Sequence, residues 1–164
     1  MEISVAIKGR RSIRKYKPGK IPEEDIVRIL EAGMMAPSAR NARPWSFVVV
    51  TDKKTKDSIV DVHPYAKMGS QAECIIVVCG KESLSEYWQQ DCGAAIENML
   101  LMAEDMGYGT CWCGMYPNMD RVEPVKEIIG ETEGTPMALV VLGIPNENPG
   151  IRGKYEESKV RFID

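Results

Sequence analysis

Cys92-Gly93-Ala94-Ala95-Ile96-Glu97-Asn98-Met99-Leu100-Leu101-Met102-Ala103 is the stretch on which the reading of the fold turns. Apolar and small residues run almost all the way round its helical wheel, where a surface helix would confine them to one stripe. Such a helix is buried on several faces, in the centre of a domain or in a subunit interface. It sits in a longer segment, Leu84 to Met106, that Gly107 and Gly109 end. Thr110-Cys111-Trp112-Cys113 then reads as a strand, stopped by Gly114. Working outward, Cys74 to Cys79 and Pro136 to Leu142 read as central strands, and Ser46 to Thr51 as another buried one around Phe47-Val48-Val49-Val50. Helices are predicted over Ser4–Lys8, from Ile21 to about Ala36, over Lys53–Val60 and over Met119–Ile129. Pro22 suits the first position of the second of these, with Glu23, Glu24 and Asp25 at the positive end of its dipole. Helices and apolar strands alternate without repeats or a linker, so residues 1–164 are expected to form one sheet-centred α+β domain.

Composition narrows the function. Twenty-four acidic and twenty-one basic residues leave a net charge of -3, the wrong balance for a general nucleic-acid binder. No apolar run approaches a transmembrane span, and the N-terminus lacks the pattern of a signal peptide. Five cysteines at irregular spacing point to reduced, mostly buried thiols and a cytoplasmic location. His63 is the only histidine, with Pro64 after it, and is expected in a loop. One histidine excludes histidine-rich metal sites and weakens any nucleophile–histidine mechanism; no metal site is expected.

Positive charge is concentrated in Arg10-Arg11-Ser12-Ile13-Arg14-Lys15-Tyr16. A guanidinium fork matches phosphate oxygens, and a serine hydroxyl adds a neutral bond. In extended backbone Ser12, Arg14 and Tyr16 would share one side and Arg11, Ile13 and Lys15 the other. The segment is either an anion site for a small ligand or a solvated basic turn. Pro37 to Trp45 is a loop by its two prolines and small polar residues. Residues Asn146 to Lys159 form a polar tail, and Val160, Phe162 and Ile163 look like a strand whose partner lies in another subunit.

Three of these stretches, in order, resemble the FMN-dependent nitroreductase family. Arg10 to Tyr16 is similar to its R-R-S-x-R-x-[YF] opening and Pro37 to Trp45 to its P-S-x-x-N-x-Q-P-W loop. The passage Asp91-x-Gly93-x-Ala95 through Gly107-x-Gly109-Thr110-Cys111-Trp112 resembles its helix-to-strand turn. The resemblance implies a three-layer α-β-α fold with a mostly antiparallel central sheet and a C-terminal strand exchanged with a partner subunit. It implies a homodimer with an FMN at each subunit interface, reduced by NADH or NADPH and reoxidised by a nitroaromatic, quinone or similar small acceptor in ping-pong order. Arg10 and Ser12, with Arg11 beside them, would hold the phosphate and ribityl chain, joined by Arg152 and Lys154. Arg14 would lie at the pyrimidine edge, where a cation stabilises the charge developed on hydride uptake. Pro37, Ser38 and Ala39 would come from the other subunit against the ring, and Asn41 would contact its polar edge or chain. Near Cys113, Gly114 and Met115 a backbone N–H would face the flavin N5; the flavin does the chemistry, so no side chain is expected to be catalytic.

Two features depart from that pattern. Arg43 stands where the family has glutamine, and the chain lacks the insertions that form a lid in larger members, so the site is open, uses residues of the partner subunit, or is shaped by the His63 to Gly69 loop. The other readings are a non-catalytic FMN-binding carrier or sensor on the same dimer, and a plain phosphate-binding domain. Cys111 and Cys113, Trp45 and Trp112 are expected as core or interface residues.

Overall fold

The computed structural model describes residues 1–163. Its centre is β3 (Cys74–Gly80), a run of β-branched and small apolar residues buried along its whole length. On one side of it lies β2 (Trp45–Val50) and on the other β5 (Thr135–Pro145), both antiparallel to it. The far edge of β5 carries β4 (Gly109–Gly114) along most of its length and the two-residue β1 (Tyr16–Lys17) at its end. All five strands pair antiparallel in one sheet, as the family resemblance implies.

Helices cover both faces. On one, α2 (Glu23–Met34) and α4 (Trp88–Asp105) bury Ile29, Ile96 and Met99 against Ile76 and Val140. On the other, α3 (Lys53–Val62) and α5 (Met119–Ile129) bury Ile59, Val122 and Val125 against Ile75, Val77 and Val141. The alternation along β3 and β5 thus feeds two cores, and full burial of one such side chain contributes about 2 kcal/mol. The helix α4 is the axis predicted for it, and α2 crosses it closely: a Cβ on Gly33 would stand 2.8 Å from Met99 Cγ. The short α1 (Ile3–Gly9) rests against α4 and buries only Ala6.

The structure corrects several local expectations. The long helix begins at Trp88, four residues after Leu84, because the chain first makes turns over residues 82–84 and 86–87. Pro22 is the N-cap of α2 and not its first helical residue. Only Val50 of β2 is buried, since this strand is at the sheet edge and pairs with β3 alone. The turn expected at Lys17 opens with β1, whose pairing with Ile144 and Pro145 is too short to leave a periodic signal. Within this chain residues 160–163 pair with no strand, and Phe162 and Ile163 are exposed; the pairing expected of them is with another subunit.

Candidate functional site

The basic segment is held in place by the one apolar residue at its centre. Ile13 is buried, and its N–H donates to Thr110 O of β4 at 2.8 Å. Ser12 bridges Thr110 in parallel. Gly109 makes this approach possible, since a Cβ there would stand 2.9 Å from Ile13 Cγ2. The Tyr16 hydroxyl donates to Ile13 O at 2.8 Å and is itself buried. Strict alternation over residues 12–16 therefore fails: Ile13 and Tyr16 both enter the core, because the chain bends from the β4 edge to β5 between them. The Glu147 carboxylate accepts the N–H groups of Arg14 and Lys15 across that bend.

Arg10, Ser12, Arg14 and Arg152 consequently line one cleft of about 550 Å³, with Arg11, Lys15 and Glu147. These cations are not equivalent. The Arg11 guanidinium donates to the carbonyls of Lys8, Arg10, Gly150 and Arg152, which ties the tail to the end of α1 and spends its donors. Arg10 Nε lies 3.2 Å from Glu97 Oε1 on α4, a partly exposed pair that leaves the rest of its fork to the cleft. The Arg14 side chain has no hydrogen bond or ion pair among the described residues. Lys154 is exposed and does not line the cleft.

Arg14 also lines a second cleft, of about 570 Å³, which opens beside Cys113 and Gly114. Register decides which backbone groups face it. Met115 N donates to Met137 O and Thr110 O accepts from Ile13 N, so odd residues of this edge face β5 and even ones face outward. Gly114 belongs to the outward set, and nothing would lie within 4 Å of a Cβ on it. Its N–H is a fixed donor at the cleft, whereas the buried Met115 has spent its own. Gly114 O is steadied by His63 Nε2 at 3.1 Å. That contact makes Nε2 the protonated nitrogen, while Nδ1 accepts Tyr65 N–H at 3.3 Å. His63 follows α3 at the start of a loop, as expected, but is fully buried there; burial, aided by the Arg121 charge, lowers its pKa and keeps it neutral.

Cys111 and Cys113 are buried beneath this cleft, as expected. The contact between the two thiols, with the Arg14 charge and the Ser12 hydroxyl, lowers the pKa of Cys111, and the same contact raises that of Cys113. Tyr65, Lys67 and Arg121 complete the rim. Sequence reasoning named none of these three side chains, but the His63 to Gly69 loop, offered as one way to shape the site, supplies Tyr65 and Lys67; an arginine in the first turn of α5 carries no local pattern, and only the fold brings it to Gly114.

The Pro37–Trp45 loop reaches neither cleft. It lies at the start of α4, where Ala39 N donates to Asp91 Oδ1 at 2.9 Å and Asp91 Oδ2 accepts from Ser85 Oγ at 2.7 Å. Arg40, Asn41 and Arg43 all have positive φ, of 53°, 54° and 48°. Three left-handed non-glycine residues in so short a span are costly, and persist where surroundings over-determine them. Ser38 Oγ accepts Arg43 N–H at 2.9 Å and closes the loop on itself. Pro37 and Asn41 are exposed, Ser38 and Ala39 half-buried.

The model of the family described as "Nitroreductase family" matches residues 7–66 and 62–144. A protein named "Putative NADH dehydrogenase/NAD(P)H nitroreductase" from Methanothermobacter thermautotrophicus is 42% identical over 166 aligned residues, covering 99% of this chain and 87% of its own. A crystal structure under the same name from Bacteroides thetaiotaomicron superposes with a TM-score of 0.94 at 40% identity, covering 98% of this chain and 96% of that one. A second, described as a "putative nitroreductase in complex with fmn" from Desulfovibrio desulfuricans, gives 0.85 at 28% identity, covering 99% and 96%.

Proposed function

This chain belongs to the nitroreductase family, and from that premise we propose that it is an FMN-dependent NAD(P)H oxidoreductase acting as a homodimer on a nitroaromatic, quinone or similar acceptor. The observation that carries the reading is Arg14, shared by a cation-lined cleft and by the cleft beside Gly114. The residues present fit FMN. The first cleft has one acid, Glu147, whose carboxylate is already engaged by two backbone N–H groups, so the phosphate meets net positive charge.

In this reading Arg10, Ser12 and Arg152 hold the phosphate, and Arg11 acts by fixing the backbone that carries Arg10 and Arg152. Arg14 sets a positive charge between the two clefts, at the pyrimidine edge. Gly114 offers its outward N–H toward N5, a donor with no side-chain entropy to lose and with its peptide oriented by His63. FMN supplies, when bound, hydride transfer from NADH or NADPH and then to the acceptor. Nothing in this requires a histidine base, and His63 is neutral and already committed to Gly114 and Tyr65.

The homodimer is supported by what one chain leaves open. Ile3, Val5 and Ile7 project from α1 at 74%, 49% and 58% exposure, and Trp112 stands exposed over Gly93 of α4. Pro37, Ser38, Ala39 and Asn41 line neither of the two clefts that Arg14 shares, so their place against a flavin ring would be in a partner's site. Phe162 and Ile163 would likewise find cover on the partner, and Lys154 would join the phosphate only if the tail closed. Visible absorption of the purified protein, before and after anaerobic NADH or NADPH, tests the reading. Flavin bands that bleach support it. Bands that persist favour a carrier, and a colourless protein that takes up no FMN sinks the flavin reading.

A further inference from the structure

Arg14, Lys67 and Arg121 reach the cleft beside Gly114 from three separate elements, and no acidic side chain lines it among the described residues. In a chain of net charge -3, three unneutralised cations at one cleft need a reason beyond solvation. Arg121 is the informative one. Its guanidinium lies over the Tyr65 ring, 5.0 Å from the centroid. Among the described residues it makes one hydrogen bond, a long one of 3.4 Å from Nη1 to Gly114 O. This cation–π contact positions the guanidinium and leaves most of its fork free, the arrangement suited to a carboxylate or phosphate. Tyr65, Met68 and Trp112 add flat or deformable apolar surface beside it.

We propose that Arg121, held on Tyr65 at the Gly114 cleft, is a specificity residue that selects a planar aromatic substrate carrying a carboxylate or phosphate. The inference rests on the flavoenzyme reading and narrows its substrate class to anions. Such an anion has two sources, an acidic aromatic acceptor or the phosphates of the nicotinamide donor, since ping-pong turnover uses one site for both.

The test compares wild type, R121Q and R121K as flavin-loaded protein. Calorimetry measures 4-nitrobenzoate and nitrobenzene binding to the oxidised form, and steady-state assays measure KM for NADH and NADPH. For the acceptor source, R121Q weakens 4-nitrobenzoate on the order of tenfold and leaves nitrobenzene within about twofold, with R121K between. For the donor source, the tenfold rise appears instead in KM for NADH or NADPH. Equal losses for 4-nitrobenzoate and nitrobenzene, or no change in any arm, overturn the proposal. Flavin content is read separately. Should the wild type take up no FMN, the flavoenzyme reading fails alone, and the two calorimetric arms on the same protein still decide whether Arg121 selects an anion.

Discussion

Replacing Asp91 by alanine tests how the strained loop is held. Asp91 is 6% exposed and sits in the first turn of α4. Each carboxylate oxygen accepts one bond, from Ala39 N–H at 2.9 Å and from Ser85 Oγ at 2.7 Å. A hydrogen bond to a charged acceptor contributes about 1.5–3 kcal/mol, so the two amount to about 3–6 kcal/mol. A favourable charge at a helix N-terminus adds about 0.5 kcal/mol. Ala39 is only half-buried and its N–H can find water on loss of the partner, which returns part of this. The expected net cost is about 3 kcal/mol, a fall in Tm of about 6–12 °C for a chain of this size. D91N keeps an acceptor for Ala39 and offers Ser85 Oγ a donor, so it should cost about 1 kcal/mol. Thermal melts by circular dichroism measure both. Flavin absorbance after gel filtration measures the consequence, because a released loop should also loosen the partner's cofactor. D91A within about 0.5 kcal/mol of wild type would refute the reasoning. A normal melt cost with full flavin content would keep the anchor but separate the loop from cofactor retention.

Three further outcomes follow from the site. R10A should lower FMN retention, whereas E97Q, which frees the same guanidinium from its partner at 3.2 Å, should leave retention equal or higher; equilibrium dialysis of FMN checks the opposite signs. R14A should retain FMN but make it harder to reduce, and an unchanged midpoint in a spectroelectrochemical titration would remove its role at the pyrimidine edge. His63 has a folded pKa below its ordinary value of 6.5. Below about pH 6.5 the unfolded chain therefore binds a proton that the folded chain refuses, so stability is present above that pH and is lost as pH falls toward the folded pKa. The drop in Tm between about pH 7.5 and 5.5 should be smaller in H63Q, and an equal drop would mean that His63 is not its source.

What was legible in the sequence follows from range. The helix α4 announced itself because its buried faces write a continuous apolar run, and β3 did so because both of its faces are covered. At β2 the same apolar pattern misled, since Val48 and Val49 are apolar for an edge that this chain leaves partly open. The alternation drawn over residues 12–16 failed because a two-residue strand and a bend are set by distant partners, Thr110 and Pro145. Arg10, Ser12, Arg14 and Arg152 line one cleft. The division of labour among them was not readable, because it depends on which guanidinium finds carbonyls first. Arg11 finds four, and Arg14 finds none among the described residues.

The tail belongs in the same argument. Asn146 N–H donates to Lys15 O, Glu147 accepts from Arg14 and Lys15, and Arg11 donates to Gly150 O and Arg152 O. Two segments more than 130 residues apart therefore make one wall. Glu147 holds that wall together, yet its charge faces the cations of the cleft lined by Arg10, Ser12 and Arg152. The conflict is resolved by geometry: the carboxylate satisfies backbone donors at the bend and engages neither the Arg14 side chain nor the Arg10 fork, whose Nε pairs with Glu97 instead. Binding an anion at Arg10, Ser12 and Arg152 then strengthens both segments at once, so the tail and the basic segment should gain protection together in amide exchange when FMN is added. Protection of the basic segment alone would mean that Arg152 does not share in the phosphate.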